Sequence, residues 1–304
     1  MGKRVRIATR GSELALWQAR WVASRLEELG AATSLVTVET QGDREQASFA
    51  AMQGQGFFTK AIQEALLAGS ADVAVHSLKD LPTAPVPGLV LAAIPKREDP
   101  REVLLIHPEA FDQEAKTLPV RYGARLGSSA VRRQAQLAQI RPDLIRCELR
   151  GNVPTRVEKL RRGEYEAILL AAAGLRRLGL DLSELEEIVL EPAQLLPAPG
   201  QGALALECRE NDLEVTRLIA RLDDPHARAT VSAERLLMAR LQGGCQLALG
   251  AHASMEGGRL SLSAWFGGSV YQGCGTGAEQ VAEQVYQQLL ADHPSAAGPK
   301  KVGA

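Results

Sequence analysis

Short apolar strands alternate with amphipathic helices along the first third of the chain, and this alternation constrains the fold more than any other feature. The predicted order is a strand around 5–7, a helix over 15–29, a strand over 35–39, a helix over 58–69 and a strand over 72–76. The first helix has apolar residues three and four apart, with Ser12 placed to cap it and Gly30 to end it. Strands separated by helices predict a mainly parallel sheet covered by helices.

The alternation starts again after the charged, proline-punctuated segment 95–102, which is typical of a linker. The second set comprises strands over 103–106, 125–127, 144–149 and 167–172, with helices that begin at Ser128 or Ser129 and near 153. An apolar strand within 196–209 is suited to return the chain to the first lobe, and the remainder predicts a small α+β domain. We therefore expect domain 1 over 1–96 and 199–216, domain 2 over 101–194 and domain 3 over 220–304, with a ligand cleft between the first two.

Composition excludes several classes of protein. Of the 304 residues, 45% are apolar and 23% charged, which is ordinary for a globular protein, and the net charge of −1 gives no support to a broad nucleic-acid surface. No apolar run is long enough to cross a bilayer and the first residues lack a signal peptide, so we expect a cytoplasmic protein. The four cysteines form no C-x-x-C pair and the histidines show no metal-ligand spacing, so no metal site is predicted.

Basic residues follow the predicted strands. They are Arg10 near Ser12, Lys79 beside Asp80, the pair Arg132 and Arg133, and the pair Arg150 and Arg156. Ligands of open α/β sheets bind at the carboxyl ends of the strands, and arginine holds carboxylates through two parallel hydrogen bonds. Each of these residues alone equally fits a solvated surface charge, but their recurrence at four strand ends favours a binding site for carboxylates.

Asp80 and Cys245 are the candidates for chemistry. Asp80 lies between a strand and a proline turn, where neighbouring cations would keep it ionised, and it is either an acid–base group or a turn-capping residue. Cys245 follows two glycines in a loop, which leaves its thiol approachable and favours covalent attachment of a group. Cys147 and Cys208 lie in apolar strands and are expected to be inert core residues.

Seven stretches in register resemble one family, porphobilinogen deaminase, an enzyme of tetrapyrrole and heme biosynthesis. They are IATRGSELALWQA (7–19), ADVAVHSLKDLPT (71–83), LGSSAVRRQAQL (126–137), RGNVPTR (150–156), AAGLRRLGL (172–180), LPAPGQGALALECR (196–209) and GGCQLALGAHA (243–253). The resemblance implies two lobes like those of type II periplasmic binding proteins and a third, smaller domain. It also implies that the product passes to uroporphyrinogen-III synthase. No exposed apolar helix stands out in the sequence, which favours a monomer, and neither the charge nor the apolar runs indicate nucleic-acid or membrane partners.

The resemblance implies a dipyrromethane cofactor joined by a thioether to Cys245. On this primer the family condenses four porphobilinogens head to tail with loss of ammonia, and then hydrolyses off the linear tetrapyrrole hydroxymethylbilane. Asp80 would stabilise positive charge at the pyrrole nitrogens and take part in proton transfer. Arginines would bind the acetate and propionate groups that the growing chain accumulates, which suits a sequence in which 27 of 35 basic residues are arginine.

By family motif, the cofactor-binding residues would be Cys245, Lys79, Asp80, Ser128, Ser129, Arg132, Arg133, Arg150, Gly151, Gly200 and Gln201. The substrate-binding residues would be Arg10, Ser12, Gln18, Lys60, Arg150, Arg156 and Arg177. The chain departs from the family pattern at Gln55, where a lid lysine is usual, at Pro154, and at Leu247-Ala248. Two alternatives remain at this point: a cytoplasmic two-lobed anion-binding module, and a phosphate-handling transferase, although no G-x-x-x-x-G-K-[ST] loop is present.

Overall fold

A computed structural model describes residues 4–39, 59–242 and 247–296. It divides into two compact units, Met1–Glu98 with Gly202–Ala229, and Asp99–Gln201 with Thr230–Ala304. The finer division into three domains predicted from the sequence stays a prediction. None of the helices within the described ranges is long and apolar enough to span a membrane.

The strands, in chain order, are β1 (Arg4–Thr9), β2 (Ala32–Thr37), β3 (Val73–Ser77), β4 (Leu89–Ala93), β5 (Glu102–Ile106), β6 (Arg125–Gly127), β7 (Ile145–Cys147), β8 (Ala167–Ala171), β9 (Glu186–Leu190), β10 (Leu204–Arg209), β11 (Gly250–Glu256), β12 (Arg259–Phe266) and β13 (Ser269–Gly275). The helices are α1 (Glu13–Glu28), α2 (Lys60–Leu67), α3 (Val131–Ile140), α4 (Val153–Arg161), α5 (Ala172–Leu178), α6 (Leu213–Ala220), α7 (Pro225–Arg240) and α8 (Ala278–Asp292). A short 3-10 turn, Leu78–Asp80, follows β3 directly.

The sheet of the first unit has the strand order β2-β1-β3-β10-β4. β1 is parallel to β2 and β3, whereas β10 is antiparallel to both β3 and β4. Four of the five strands therefore run in one direction, as predicted, and β10, from a distant part of the chain, is the strand that runs the other way. Apolar side chains cover both faces: Val5 and Ile7 pack towards α1, and Ala8 packs towards α2.

The sheet of the second unit repeats this topology with the order β7-β6-β8-β5-β9. β6 is parallel to β7 and β8, and β5 is antiparallel to β8 and β9. In both sheets the inserted strand belongs to a segment adjoining the boundary between the two units, so the local strand–helix alternation does not indicate its direction. The fold prediction of two α/β lobes is confirmed, and each of the two sheets is mainly parallel with one reversed strand, β10 in the first and β5 in the second.

A separate antiparallel sheet, β11-β12-β13, forms the smaller α+β part of the second unit. Its core contains Leu237 of α7 and Val285 of α8, both fully buried. This confirms the predicted small C-terminal α+β region. The sequence pattern of β13, SVYQGCG, does not predict a strand, because glycine and polar residues interrupt its alternation.

Helix starts and strand ends test the local predictions. Ser12 caps α1 as predicted, since its hydroxyl accepts a hydrogen bond from the N–H of Ala15. The strand predicted over 35–39 lies earlier, at 32–37. The helix expected to begin at Ser128 or Ser129 begins at Val131 with no side-chain cap. Ser129 does not cap because its hydroxyl is bonded to a neighbouring loop instead.

Candidate active site

The carboxyl ends of β1 and β3 meet at one edge of the first sheet, because the two strands are parallel neighbours. Arg10 and Ser12 follow β1 there, and the turn with Lys79 and Asp80 follows β3. This places four of the residues predicted for the site on two adjacent loops of one unit. Arg10, Lys79 and Asp80 are all partly exposed, so each can contact a bound molecule.

Gln18 fixes α1 to the end of β3. Its side chain is 2% exposed, and its Nε2 donates a hydrogen bond to Ser77 Oγ at 3.0 Å. The turn itself is anchored by Leu78, a buried residue whose N–H donates to the carbonyl oxygen of Ala203 at 3.0 Å. Gln18 was predicted to bind substrate, and in the structure its amide supports the strand that carries the Asp80 turn.

Lys60 is the first residue of α2 and its side chain is 79% exposed, with Nζ 3.9 Å from Glu64 Oε1. An exposed surface pair of this kind adds little stability, so the ammonium group can leave it to meet a ligand. The predicted lid around Gln55 lies outside the described residues, as does Cys245.

In the second unit, the parallel strands β6, β7 and β8 bring their carboxyl ends to one edge of the sheet. Ser128 and Ser129 follow β6, Arg150 and Gly151 follow β7, and Arg177 lies in the last turn of α5, which follows β8. Arg177 is buried, with 8% of its surface exposed. The second-lobe residues selected from the sequence thus lie in the loops or helices that follow these three strands.

Arg132 and Arg133 share one buried carboxylate. Arg132 donates to Glu102 Oε1 at 2.5 Å, and Arg133 donates to Glu102 Oε2 at 2.6 Å. Their other bonds go to main-chain carbonyl oxygens, of Leu196 for Arg132 and of Leu169 for Arg133. Burial lowers the pKa of Arg132, while Glu102 opposes that change. The formal charge of the two guanidinium groups exceeds that of Glu102 by one.

Ser128 and Ser129 differ in their bonding. The buried Ser128 Oγ has no hydrogen-bond partner among the described residues, and the same holds for the buried Nε of Arg133. Ser129 Oγ donates to the carbonyl oxygen of Leu149 and accepts from its N–H. Ser128 therefore offers an unused hydroxyl at the edge, whereas Ser129 joins the loops after β6 and β7.

The Arg150–Arg156 loop is shaped by local bonds. Gly151 has φ +111°, and a Cβ there would lie 2.7 Å from Thr155 Cγ2, so the position requires glycine. Asn152 caps α4 by accepting from the N–H of Thr155, and Arg156 Nε donates to the carbonyl oxygen of Gly151 at 2.7 Å. Arg150 forms an ion pair with Glu148 at 2.5 Å. Both arginines are thus held at the start of α4.

Gly200 and Gln201 are buried in the segment that precedes β10. The N–H of Gly200 donates to Glu234 Oε2 at 2.7 Å, and Gln201 Nε2 donates to the carbonyl oxygen of Pro100 at 2.8 Å. Glu234 also accepts from the N–H of Ala253 at 2.8 Å, which connects this segment to β11. In the structure both residues therefore support the backbone of the second unit.

The sequence analysis missed Glu102 and Glu234, two carboxylates with no exposed surface. Glu102 opens an apolar strand and Glu234 lies within the apolar positions of α7, so an isolated acid at a core position was the available signal. It also judged Cys147 to be a core residue. That is wrong, because β7 is a short edge strand and Cys147 is only partly buried, whereas Cys208 is buried as expected.

Comparisons with known proteins identify the family. Residues 5–217 match the model of "Porphobilinogen deaminase, dipyromethane cofactor binding domain", and residues 228–289 match "Porphobilinogen deaminase, C-terminal domain". The porphobilinogen deaminase of Pelobacter propionicus is 47% identical over 263 residues, 86% of this chain and 82% of that protein. The porphobilinogen deaminase of Geobacter sulfurreducens is 43% identical over 303 residues, 95% of this chain and 92% of that protein.

Solved structures that resemble the chain include a Salmonella typhimurium periplasmic binding protein with high arginine specificity. Its TM-score is 0.42 and its sequence identity 11%, over 73% of this chain and 92% of that one. The family models together cover most of the chain, and the relatives match across both units. On this evidence the chain belongs to the porphobilinogen deaminase family.

Proposed function

We propose that Cys245 carries the dipyrromethane cofactor of this hydroxymethylbilane synthase and that Asp80 is its catalytic residue. The enzyme is a transferase that joins four porphobilinogen units with loss of ammonia and releases hydroxymethylbilane. The observation that carries the assignment of residues is the gathering of basic and hydroxyl side chains at the carboxyl edge of each α/β sheet. The alternative of an anion-binding module without catalysis is not favoured, because both family models match.

The edge of the second sheet fits the dipyrromethane. Its pyrroles carry acetate and propionate groups, which need cationic and hydroxyl donors. Arg132 and Arg133 share one carboxylate and so retain one positive charge, and Ser128 Oγ has no partner among the described residues. A buried donor without a partner is costly, so a carboxylate bound there would relieve that cost. When bound, the cofactor supplies the nucleophilic α-carbon to which the first porphobilinogen is joined.

Asp80 suits a role at the pyrrole nitrogens. Its carboxylate is partly exposed on a short turn whose backbone is held by Leu78, and it forms no hydrogen bond or ion pair with another described residue. A carboxylate in that setting can accept a hydrogen bond from a pyrrole N–H and stabilise positive charge as ammonia leaves. It can also hold the proton that is lost after each carbon–carbon bond forms.

The remaining basic residues would bind substrate carboxylates. In the first unit these are Arg10 and Lys60, with Ser12 as a hydroxyl donor. In the second unit they are Arg150, Arg156 and Arg177. Guanidinium groups hold carboxylates in a fixed orientation, so they would align each incoming porphobilinogen with the end of the growing chain.

We further propose that the enzyme acts as a monomer in the cytoplasm and that uroporphyrinogen-III synthase receives its product. The first two points are supported by the sequence, in which no exposed apolar helix, long apolar run or signal peptide stands out, and the third by the family resemblance. Size-exclusion chromatography with light scattering would test the first, since a mass of twice 32.6 kDa would contradict it.

Intact-protein mass spectrometry tests the attachment site. The purified chain should carry the extra mass of two joined porphobilinogen units, and Cys245→Ser should lack it while Cys274→Ser, a matched change at a partly buried thiol, keeps it. If the purified chain is unmodified, incubation with porphobilinogen should restore the adduct. The full adduct on Cys245→Ser would disprove attachment at this residue.

A second variant tests the catalytic residue. Asp80→Asn should retain the cofactor mass, or stall with bound intermediates, while hydroxymethylbilane formation falls by about a hundredfold or more. Near-normal turnover by the loaded variant would remove Asp80 from catalysis.

A further inference from the structure

Three buried polar side chains of the first unit have no part in the chemistry described so far. They are Gln63 on α2, His76 on β3 and Glu207 on β10, and each has less than a tenth of its surface exposed. Glu207 pairs in register with Ala74 and so lies diagonal to His76 on the same face of the sheet. Gln63 faces them from α2, which covers that face.

The three side chains contact one another. Gln63 Nε2 donates a hydrogen bond to Glu207 Oε2 at 2.9 Å, and His76 Nε2 lies 3.0 Å from the same oxygen. The second contact is an ion pair by distance rather than an aligned hydrogen bond, because no described residue satisfies the geometry of a bond to His76 Nε2.

The surroundings of the three residues are apolar. Ala8, Ile62, Leu66 and Ala74 form the adjoining core, and all are fully or nearly fully buried. Apolar residues of similar volume in place of a buried charged network often stabilise a protein equally well or better. Fold stability alone therefore does not explain the network. Its directional contacts instead fix one placement of α2 against β3 and β10.

That placement concerns the proposed active site. His76 lies one residue before the end of β3, and the turn with Lys79 and Asp80 follows. Gln63 lies in the first turn of α2, which begins at Lys60. On the opposite face of the sheet, Gln18 of α1 donates a hydrogen bond to Ser77, the last residue of β3. The end of β3 is thus held from both sides.

We propose that His76, Glu207 and Gln63 are positioning residues that hold the Lys79–Asp80 turn in its reactive placement beside the start of α2. None of the three touches the reacting atoms. The proposal rests on the proposed function of Asp80. It goes beyond that function because it proposes that the His76–Glu207–Gln63 network, on the sheet face that α2 covers, affects the rate of catalysis.

Glu207→Gln is the primary test, because it removes the charge and keeps the shape. Intact-mass spectrometry should find the cofactor loaded to the wild-type level. For the loaded fraction, we expect kcat for hydroxymethylbilane formation to fall by about tenfold while KM for porphobilinogen changes by less than about twofold, since small displacements of a catalytic group slow the reaction. An unchanged kcat, with or without a lower melting temperature, would overturn the proposal.

A double-mutant cycle separates positioning from a general structural defect. Asp80→Glu moves the carboxylate away from its reactive placement, so adding Glu207→Gln should change the remaining rate by less than about twofold if the network acts through Asp80. After mixing with porphobilinogen, mass spectrometry follows the conversion of the cofactor-loaded enzyme into forms that carry added pyrrole units. Samples taken over hours make the slow additions of these variants measurable. If the loss of rate in the double variant equals the product of the losses in the two single variants, the proposal is overturned.

Asp72→Asn is the matched control. Asp72 is buried, precedes the opposite end of β3 and bonds to Arg6 and Arg209, both within the same unit. This variant should lower the melting temperature and leave kcat per loaded molecule unchanged. Near-normal turnover of Asp80→Asn would instead refute the proposed function, whereas inactive Asp80→Asn with normal Glu207→Gln would refute only the positioning role.

Discussion

The hydroxyl of Ser129 donates a hydrogen bond to the carbonyl oxygen of Leu149 at 2.7 Å and accepts one from the N–H of Leu149 at 3.0 Å. The two bonds join the loop after β6 to the loop after β7. The first loop carries Ser128 and the second carries Arg150, so one serine sets the spacing between two parts of the proposed cofactor site.

Ser129→Ala should therefore destabilise the protein. Leu149 is fully buried, and its main-chain N–H and carbonyl oxygen would both lose their side-chain partner. We expect the free energy of unfolding to fall by about 2 kcal/mol, measured by urea denaturation. Ser70→Ala is the control, because the Ser70 hydroxyl bonds to a main-chain oxygen at an exposed site and its loss should cost much less. Equal losses for the two variants would contradict this account.

Glu102→Gln should be more damaging, because it removes the charge that Arg132 and Arg133 share. Two buried guanidinium groups would remain without their common carboxylate, and we expect the free energy of unfolding to fall by about 3 kcal/mol. Glu191→Gln removes an exposed partner of Arg101 and should cost little. If Glu102→Gln is as stable as the wild type in urea, then Arg132 and Arg133 do not need the charge of Glu102.

Arg156→Lys tests carboxylate binding at the start of α4. Lysine keeps the charge but loses the planar group that donates to Gly151 and can hold a carboxylate through two bonds. We expect porphobilinogen additions to slow by about tenfold, visible as accumulated enzyme-bound intermediates by mass spectrometry. Arg162→Lys, at an exposed position just after the same helix, should elongate normally. Normal elongation by Arg156→Lys would make Arg156 a surface charge.

Acid stability should depend on Asp143. Two hydrogen bonds from Arg141, each 2.7 Å, lower the pKa of Asp143 from 3.8 to about 2. Since the pKa is lower in the folded state, this carboxylate stabilises the protein above pH 4, and the stabilisation is lost as the pH falls from about 4 through about 2.

Asp143→Asn should thus lower the free energy of unfolding by about 1 kcal/mol at pH 7, with the difference from wild type shrinking towards pH 2. Urea denaturation at several pH values gives the comparison, with Glu114→Gln as a control for loss of an exposed carboxylate. A difference that grows as the pH falls would have the wrong sign for this mechanism.

Local sequence patterns were sufficient to predict the structural features that depend only on residues close together in the chain. Ser12 caps α1 because the cap needs only a hydroxyl three residues before a main-chain N–H. The basic residues at the strand ends were found for a similar reason, since a parallel strand followed by a helix places its next residues at the carboxyl edge of the sheet. The family followed from seven motifs that stand in order along the chain.

The sequence by itself thus determined the family, the α/β alternation and the candidates for chemistry, because periodicity and motifs are local properties. Only the tertiary structure decided that β10 lies antiparallel between β3 and β4, that Glu102 neutralises two arginines, and that Glu207 meets His76 from 131 positions further along the chain. Such contacts join segments far apart in sequence, and a buried charge is acceptable only when its partner is brought to it. No local pattern contains that information.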